Sequence, residues 1–395
     1  MAERAIHFLT GIRSEYDILS PVISAVAETS GLRAGVIVTG AHLVSSHGNS
    51  VKQIERDGHE IIGRLDTLLA SDGLGGRVKG TALQLIGLTD LFARERPDAL
   101  VVMGDREEPL IGATAAVYHH IPVLHIGGGD HADDGNVDNV VRHATTKLAH
   151  LHAVTTERSR AGVLALGEEP WRVRVVGASG LDRLAAVPPI SRSELNGALG
   201  VDWGERPFII VLFHPTIVDF TTARAHMRAV LDAADRSGAE IVVMAPNSDP
   251  GNAEIAEEIR AFVARVPRAQ SHAYLERNVF VNMLRQASVL LGNSSAGIVE
   301  APFLGLPAVN VGLRQLGREH ANNVQFVDYE PEAIDAALSR ALHDRAYRDE
   351  VMRGSTLYGD GTAGARIAKM LDETPFDARL LNKPGPHDID QVAGD

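Results

Sequence analysis

The sequence predicts an α/β protein made of two doubly wound parallel-sheet domains. Three observations carry this. Short β-branched apolar runs alternate with longer stretches whose apolar residues recur at helical spacing. The alternation restarts after a break rich in Pro, Ser and Gly near residues 183–206. The length, 395 residues, exceeds what a single hydrophobic core usually serves.

In order, the first strand is read at AIHFLTG (5–11), and the amphipathic DILSPVISAVAETS (17–30) follows as a helix. AGVIVTG (34–40) is the second strand, and TALQLIGLTDLFARERP (81–97) is a second helical stretch. DALVVMGD (98–105), IPVLHIGGG (121–129), LHAVTT (151–156) and VRVVG (173–177) complete the first set of strands. Unbroken β-branched runs of this kind belong to strands covered on both faces. After the break come FIIVLFHPT (208–216), EIVVMAPN (240–247), ASVLLGNSS (287–295) and LPAVNVG (306–312). PEAIDAALSRALHDRAYRDEVMR and STLYGDGTAGARIAKML read as closing helices joined by a turn, and beyond Pro375 the chain turns polar. The expected division is therefore residues 1–185, 186–372 with its C-terminal helices packing back, and a polar tail, 373–395, that is frayed or packed on a partner.

Composition narrows the function classes. Hydrophobic residues at 45% and charged residues at 23% describe an ordinary soluble domain. A net charge of −13 argues against a nucleic-acid-binding face, which needs clustered basic residues. The absence of cysteine removes thiolate nucleophiles, disulfides and cysteine-bound zinc. No apolar run approaches the ~18 residues of a membrane span, and the N-terminus lacks a signal-peptide pattern. The reading is a cytoplasmic protein with no membrane partner.

In open parallel sheets, ligands bind beyond the carboxyl ends of the strands. There the sequence places Arg13 in GIRSEYD, Asp105 in GDR, His214 in HPT, and Asn247 with Asp249 in PNSDPGN. Each has an ordinary reading as a cap or turn residue. Their concurrence in both sets of strands favours a ligand. LLGNSSAGIVEAPFLG is the most specific stretch. Ser294 and Ser295 are expected at the N-terminus of a helix, where backbone N–H groups receive an anion such as a pyrophosphate. Glu300, roughly a turn and a half into that helix, is placed to bind ribose hydroxyls. Arg314 follows the next strand. Neither GxxxxGK[ST] nor a GxGxxG after the first strand is present, so a nucleotide sugar fits better than ATP or NAD.

Taken in order, GIRSEYDILSPVI, TGAHLVSSHGN, GDREEPLIGATAA, RHATTKLAHLHAV, GASGLDRL, HPT, GNSSAGIVE, GLRQLGRE and YGDG resemble the motifs of the UDP-N-acetylglucosamine 2-epimerase family. The likeness is to its hydrolysing, sialic-acid-pathway branch in particular, and it covers nearly the whole chain to about residue 370. The resemblance implies a GT-B-like pair of Rossmann-like domains with an interdomain cleft, and no cofactor. It also implies a UDP-amino-sugar substrate and a homodimer or homotetramer. Family chemistry removes the proton at sugar C2 as the nucleoside diphosphate leaves C1, then adds water to the resulting glycal. Carried over by position, Asp105 and Asp138 are acid/base candidates and His214 serves the leaving group. Arg13, Asn247, Ser294, Ser295, Glu300 and Arg314 contact the nucleotide.

One loop departs from the pattern. HIGGGDHADDGNVDNVVRH (125–143) stands where the family usually reads His-Ile-Glu-Gly-Gly-Glu. Gly127 takes the place of a catalytic Glu, Asp130 replaces the second Glu, and the loop is two residues longer. Three explanations stay open: Asp130, His131 or Asp133 takes over the missing role; the substrate is a different nucleotide sugar; or C2 inversion is lost, leaving a glycosyltransferase or a nucleotide-sugar hydrolase. A non-hydrolysing epimerase and a non-catalytic sensor are further alternatives. A metal site is disfavoured because Ala132 and Val141 break the EF-hand pattern.

Overall fold

The structure is a computed structural model and describes residues 3–69, 74–131, 137–216, 220–246 and 251–383. The chain divides into two units, one built from the residues up to Arg183 together with those from Gly359 onward, the other spanning Leu184–Tyr358.

The first unit holds a seven-stranded parallel sheet: β1 (Arg4–Thr10), β2 (Leu32–Thr39), β3 (Ile61–Leu65), β4 (Ala99–Met103), β5 (Val123–Ile126), β6 (Leu151–Val154) and β7 (Val173–Val175). Their order is β3-β2-β1-β4-β5-β6-β7, so the winding reverses between β1 and β4. Alternate residues of each strand enter different cores. Phe8, Val36 and Val101 pack under the Arg13–Ala27 helix, while Leu9, Ile37 and Leu100 pack with Leu88 and Phe92 of the Leu74–Arg94 helix. Both faces being covered is why these strands read as unbroken apolar runs.

The second unit holds six parallel strands: β8 (Phe208–Leu212), β9 (Glu240–Met244), β10 (Ala269–His272), β11 (Val289–Gly292), β12 (Ala308–Val311) and β13 (Val324–Val327). Their order is β10-β9-β8-β11-β12-β13, reversing between β8 and β11. β3, β10 and β13 escaped the sequence reading. They are edge strands, only half-buried, so IIGRL, AQSH and VQFV lack the apolar density that marks the central strands.

The closing segment corrects two expectations. The Ala363–Glu373 helix belongs to the first unit, not the second. Asp182 accepts hydrogen bonds from the Ala363 and Gly364 N–H groups at 3.0 and 2.6 Å, and Ile367 and Leu371 enter the core beneath the Arg13–Ala27 helix. Nor is the tail frayed as far as Lys383. Buried Arg172 donates to the carbonyls of Arg379, Leu380 and Asn382, and pairs with Glu169. Lys383 donates to buried Glu168 and to the carbonyls of Lys147 and Ala149. Glu168 also holds Lys147 and His152, and these partners keep its carboxylate well below the usual range, near 2, against the opposing effect of burial. Among the described residues no helix is long and apolar enough to cross a membrane.

Candidate active site

In the first unit the central strands end in staggered glycines. The Gly104 N–H donates to the Ile126 carbonyl and the Gly127 N–H to that of Ala153. This delivers Asp105 and the glycine-rich loop to the carboxyl edge of the sheet. His125 is fully buried beneath them, and burial lowers its pKa to about 3. Its Nε2 lies 2.9 Å from the Gly104 carbonyl, which only accepts, so the neutral ring carries its proton there and turns Nδ1 to Thr146. His125 therefore braces the loop.

The three glycines differ in what surrounds them. A Cβ on Gly129 would lie 1.9 Å from the Ser159 carbonyl oxygen, so that position admits only glycine. Gly127 also adopts positive φ (+79°), but nothing lies within 4 Å of where its Cβ would stand. Where the resemblance leads one to expect a carboxylate, Gly127 thus leaves open space.

Asp130 does not fill that space. Its Oδ1 accepts from the Thr155 and Ser159 hydroxyls, fastening the loop to the Glu157–Ala165 helix. His131 stacks parallel to His143 at 6.4 Å. Asp133 and Asp134 lie outside the described residues, as do Asn247 and Asp249.

Arg142 organises the group. It lies one turn along the Asp138–Leu148 helix, which Asp138 opens. Its guanidinium is buried, pairs with the Asp105 carboxylate, and donates to the Asp130 carbonyl at 2.8 Å and to Asn139 Oδ1 at 3.3 Å. Asp105, Asp130 and the Asp138 helix are thereby joined in one network. Sequence reasoning treated the Arg142-His143 pair only as a landmark. The available signal was a positive residue one helical turn after Asp138, on the same face.

A second carboxylate group sits between the ends of β1 and β4. Glu15 Oε2 accepts from the Gly11 and Ile12 N–H groups at 2.8 and 3.3 Å. The chain's own carboxylate so fills the anion position at this helix N-terminus. Glu108 is buried nearby, and Arg106 contacts both, at 3.2 and 3.9 Å. Burial and Glu108 raise the Glu15 carboxyl to about 8. Arg13 opens the same helix with its side chain half-exposed beside Asp17.

In the second unit, Asn293 is the hub. Fully buried at the end of β11, it accepts from the His214 N–H and donates to the His214 carbonyl, both at 2.8 Å. Its own carbonyl accepts from Arg314 and Gln315 at 3.2 and 3.0 Å. This joins His214, the serine turn and Arg314.

The helix expected after the serines is not continuous. Gly297 and Pro302 both disfavour helix interiors, and Pro302 cannot donate to the turn before it. The segment divides into a tight turn, Ser295–Gly297, and a short helix, Glu300–Phe303. Ser294 accepts from the Ala296 N–H as a cap. Glu300 therefore opens a helix instead of lying well inside one. Its Oε2 is buried with no hydrogen-bond partner among the described residues, and burial raises its pKa.

Comparison with known proteins shows the family and the fold. The family model described as UDP-N-acetylglucosamine 2-epimerase matches residues 24–372. The chain is 34% identical, over 96% of its length and 98% of the relative's, to the hydrolysing UDP-N,N'-diacetylbacillosamine 2-epimerase of Legionella pneumophila. It is 28% identical to the UDP-N-acetylglucosamine 2-epimerase of Neisseria meningitidis, over 84% of this chain and 86% of that one. The crystal structure of UDP-GlcNAc 2-epimerase from Neisseria meningitidis bound to UDP-GlcNAc superposes with a TM-score of 0.81 at 19% identity, covering 94% of this chain and 100% of that one. The two doubly wound parallel sheets expected from the sequence are the observed ones, of GT-B type.

Proposed function

The chain belongs to the UDP-N-acetylglucosamine 2-epimerase family, and from that premise we propose that it hydrolyses a UDP-2-acetamido sugar with inversion at C2. It is a hydrolysing nucleotide-sugar 2-epimerase by its similarity to named hydrolysing enzymes. The observation that carries the site assignment is the Asp105 carboxylate held by Arg142 at the carboxyl edge of the first sheet.

In the proposed reaction, one of Asp105 and Asp138 takes the C2 proton. The C–H electrons form a C1=C2 double bond as the C1–O bond breaks and UDP departs. Water then adds to the 2-acetamidoglycal: the other carboxyl group gives its proton to C2 on the opposite face, the water oxygen bonds C1, the carboxylate so formed takes the proton that water releases, and the first carboxyl returns its proton to solvent. His214 serves the departing pyrophosphate, with Ser294, Ser295 and Arg314 binding it. Glu300, with its orphaned buried oxygen, receives the ribose hydroxyls. Arg13 and Asn247 complete the assigned nucleotide contacts, and Asp130 holds the loop in place.

The open space at Gly127 favours a sugar bulkier than N-acetylglucosamine, so UDP-N,N'-diacetylbacillosamine is the preferred substrate. Incubation of both nucleotide sugars in heavy water, followed by NMR, tests this. The expected products are UDP and a free 2-epimer deuterated at C2. The same vacancy favours a second reading, hydrolysis without inversion, whose signature is free UDP with no deuterium at C2.

A further inference from the structure

We propose that Asn293 is a positioning residue for departure of the diphosphate: its side chain sets the direction of His214, and its main chain holds Arg314. The proposal rests on the assignment of His214 and Arg314 to the leaving group. It follows from how β8 and β11 end.

The two strands pair in parallel as far as Leu212 and Gly292, and the Asn293 N–H still donates to the Leu212 carbonyl at 3.2 Å. Gly292 has a φ of +144°, and a Cβ there would lie 2.1 Å from that same oxygen, so only glycine lets the strand ends approach. The chain then turns into Ser295–Gly297, and the Asn293 carboxamide takes over the pairing. Its Oδ1 accepts from the His214 N–H and its Nδ2 donates to the His214 carbonyl, both at 2.8 Å. A carboxamide offers the donor and the acceptor of a peptide unit. The ladder therefore gains one more rung, made by a side chain. Only one orientation of the amide serves both partners, since the N–H only donates and the carbonyl only accepts. Pro215 follows with a fixed φ and no N–H. The His214 backbone is thus held at both its polar groups, which fixes where the half-buried imidazole leaves the chain.

The Asn293 carbonyl accepts from Arg314 and Gln315 at 3.2 and 3.0 Å. One fully buried residue therefore sets the spacing between an imidazole and a guanidinium. Capping of the turn explains neither contact, because Ser294 supplies the cap.

Replacing the side chain should disturb His214 and spare Arg314, whose contact is to the main chain. Asn293→Asp keeps the shape. Ionised, its carboxylate sets an oxygen against the His214 carbonyl; protonated, it donates there as the amide does. Burial favours the protonated form, Arg314 opposes it, and lowering the pH restores it. At about pH 8.5 the variant's kcat should fall at least about 30-fold, with KM and calorimetric UDP affinity within about threefold of the unaltered protein. The ratio of variant to unaltered kcat should climb as the pH falls to about 6, titration of His214 being common to both. In a His214→Ala background, Asn293→Asp should cost less than about twofold, because residues acting as a unit are not additive. Thermal melts at each pH report folding. Should Asn293→Asp not fold, Asn293→Ser replaces it, with a similar loss of kcat that again vanishes in the His214→Ala background. A ratio for Asn293→Asp that ignores pH, equal losses in both backgrounds, or a lowered melting temperature with kcat intact would each overturn the assignment. Full kcat in His214→Ala alone would instead overturn the leaving-group reading, and this assignment with it.

Discussion

Arg142 and Asp105 form an ion pair whose guanidinium is almost wholly buried while the carboxylate keeps partial access to solvent. The cation is anchored by the Asp130 carbonyl and Asn139. The Asp105 carboxylate, proposed to act on the substrate, thus keeps an exposed side. Replacing Arg142 by Lys keeps the charge but loses the planar fork that serves several acceptors. Arg142→Lys is expected to lower kcat about 10–100-fold with little change in KM, and Arg142→Gln to lower it further. Steady-state kinetics beside a thermal melt separates this from loss of fold.

Gly127 gives the sharpest test of substrate choice. Because nothing lies within 4 Å of its Cβ direction, Gly127→Glu should fold. The left-handed backbone costs about 1–2 kcal/mol for a side chain. The variant is expected to shift kcat/KM toward UDP-N-acetylglucosamine and away from the diacetamido sugar. Competition between the two substrates, followed by chromatography, measures the ratio.

Glu15 predicts how stability varies with pH. Its folded pKa lies near 8, above the ordinary 4.5, so the folded state holds a proton that the unfolded state releases. That stability is full below about pH 4.5 and is lost as the pH rises through 8. Buried His7, His42 and His150, held near 4, and His125, held near 3, work oppositely. Their stabilisation is full above 6.5 and is lost as the pH falls. Urea midpoints should peak near pH 6.5, and Glu15→Gln should flatten the decline between 6.5 and 8.

The C-terminal segment supports a fourth prediction. Ending the chain after Thr374 removes three carbonyl partners of buried Arg172 and one cation of Glu168. Arg172 keeps Glu169 and Glu168 keeps Lys147, but each hydrogen bond lost from a charged group costs about 1.5–3 kcal/mol. The truncated protein should melt more than about 5 °C lower by calorimetry. Restoring residues through Lys383 should recover the difference.

Much of this was legible in the sequence, for reasons that differ by residue. The central strands announced themselves because both faces are buried, and Asp105 because it ends one of them. Ser294 was read as an anion contact at a helix N-terminus; it does cap a turn there, but the broken helix after it depended on Gly297 and Pro302 acting together. Arg142 and Asn293 escaped because their roles come from what they join: a loop to a strand end, a histidine backbone to a serine turn. The pairing of Glu15 with Glu108 is a tertiary meeting of residues far apart in sequence. The tail's docking rests on carbonyl groups, which every residue has and no side-chain pattern marks.

The route of the chain carries a consequence for synthesis. The first unit's core includes Ile367, Leu371 and Leu380, yet the chain leaves that unit at Arg183 and returns only at Gly359. On the ribosome, the seven-stranded sheet must wait with one core open while the whole second unit emerges. Leu184–Tyr358 is continuous and can fold as it appears. The first domain begun is thus the last completed, and its apolar face under the Arg13–Ala27 helix is the surface a chaperone would meet on the nascent chain.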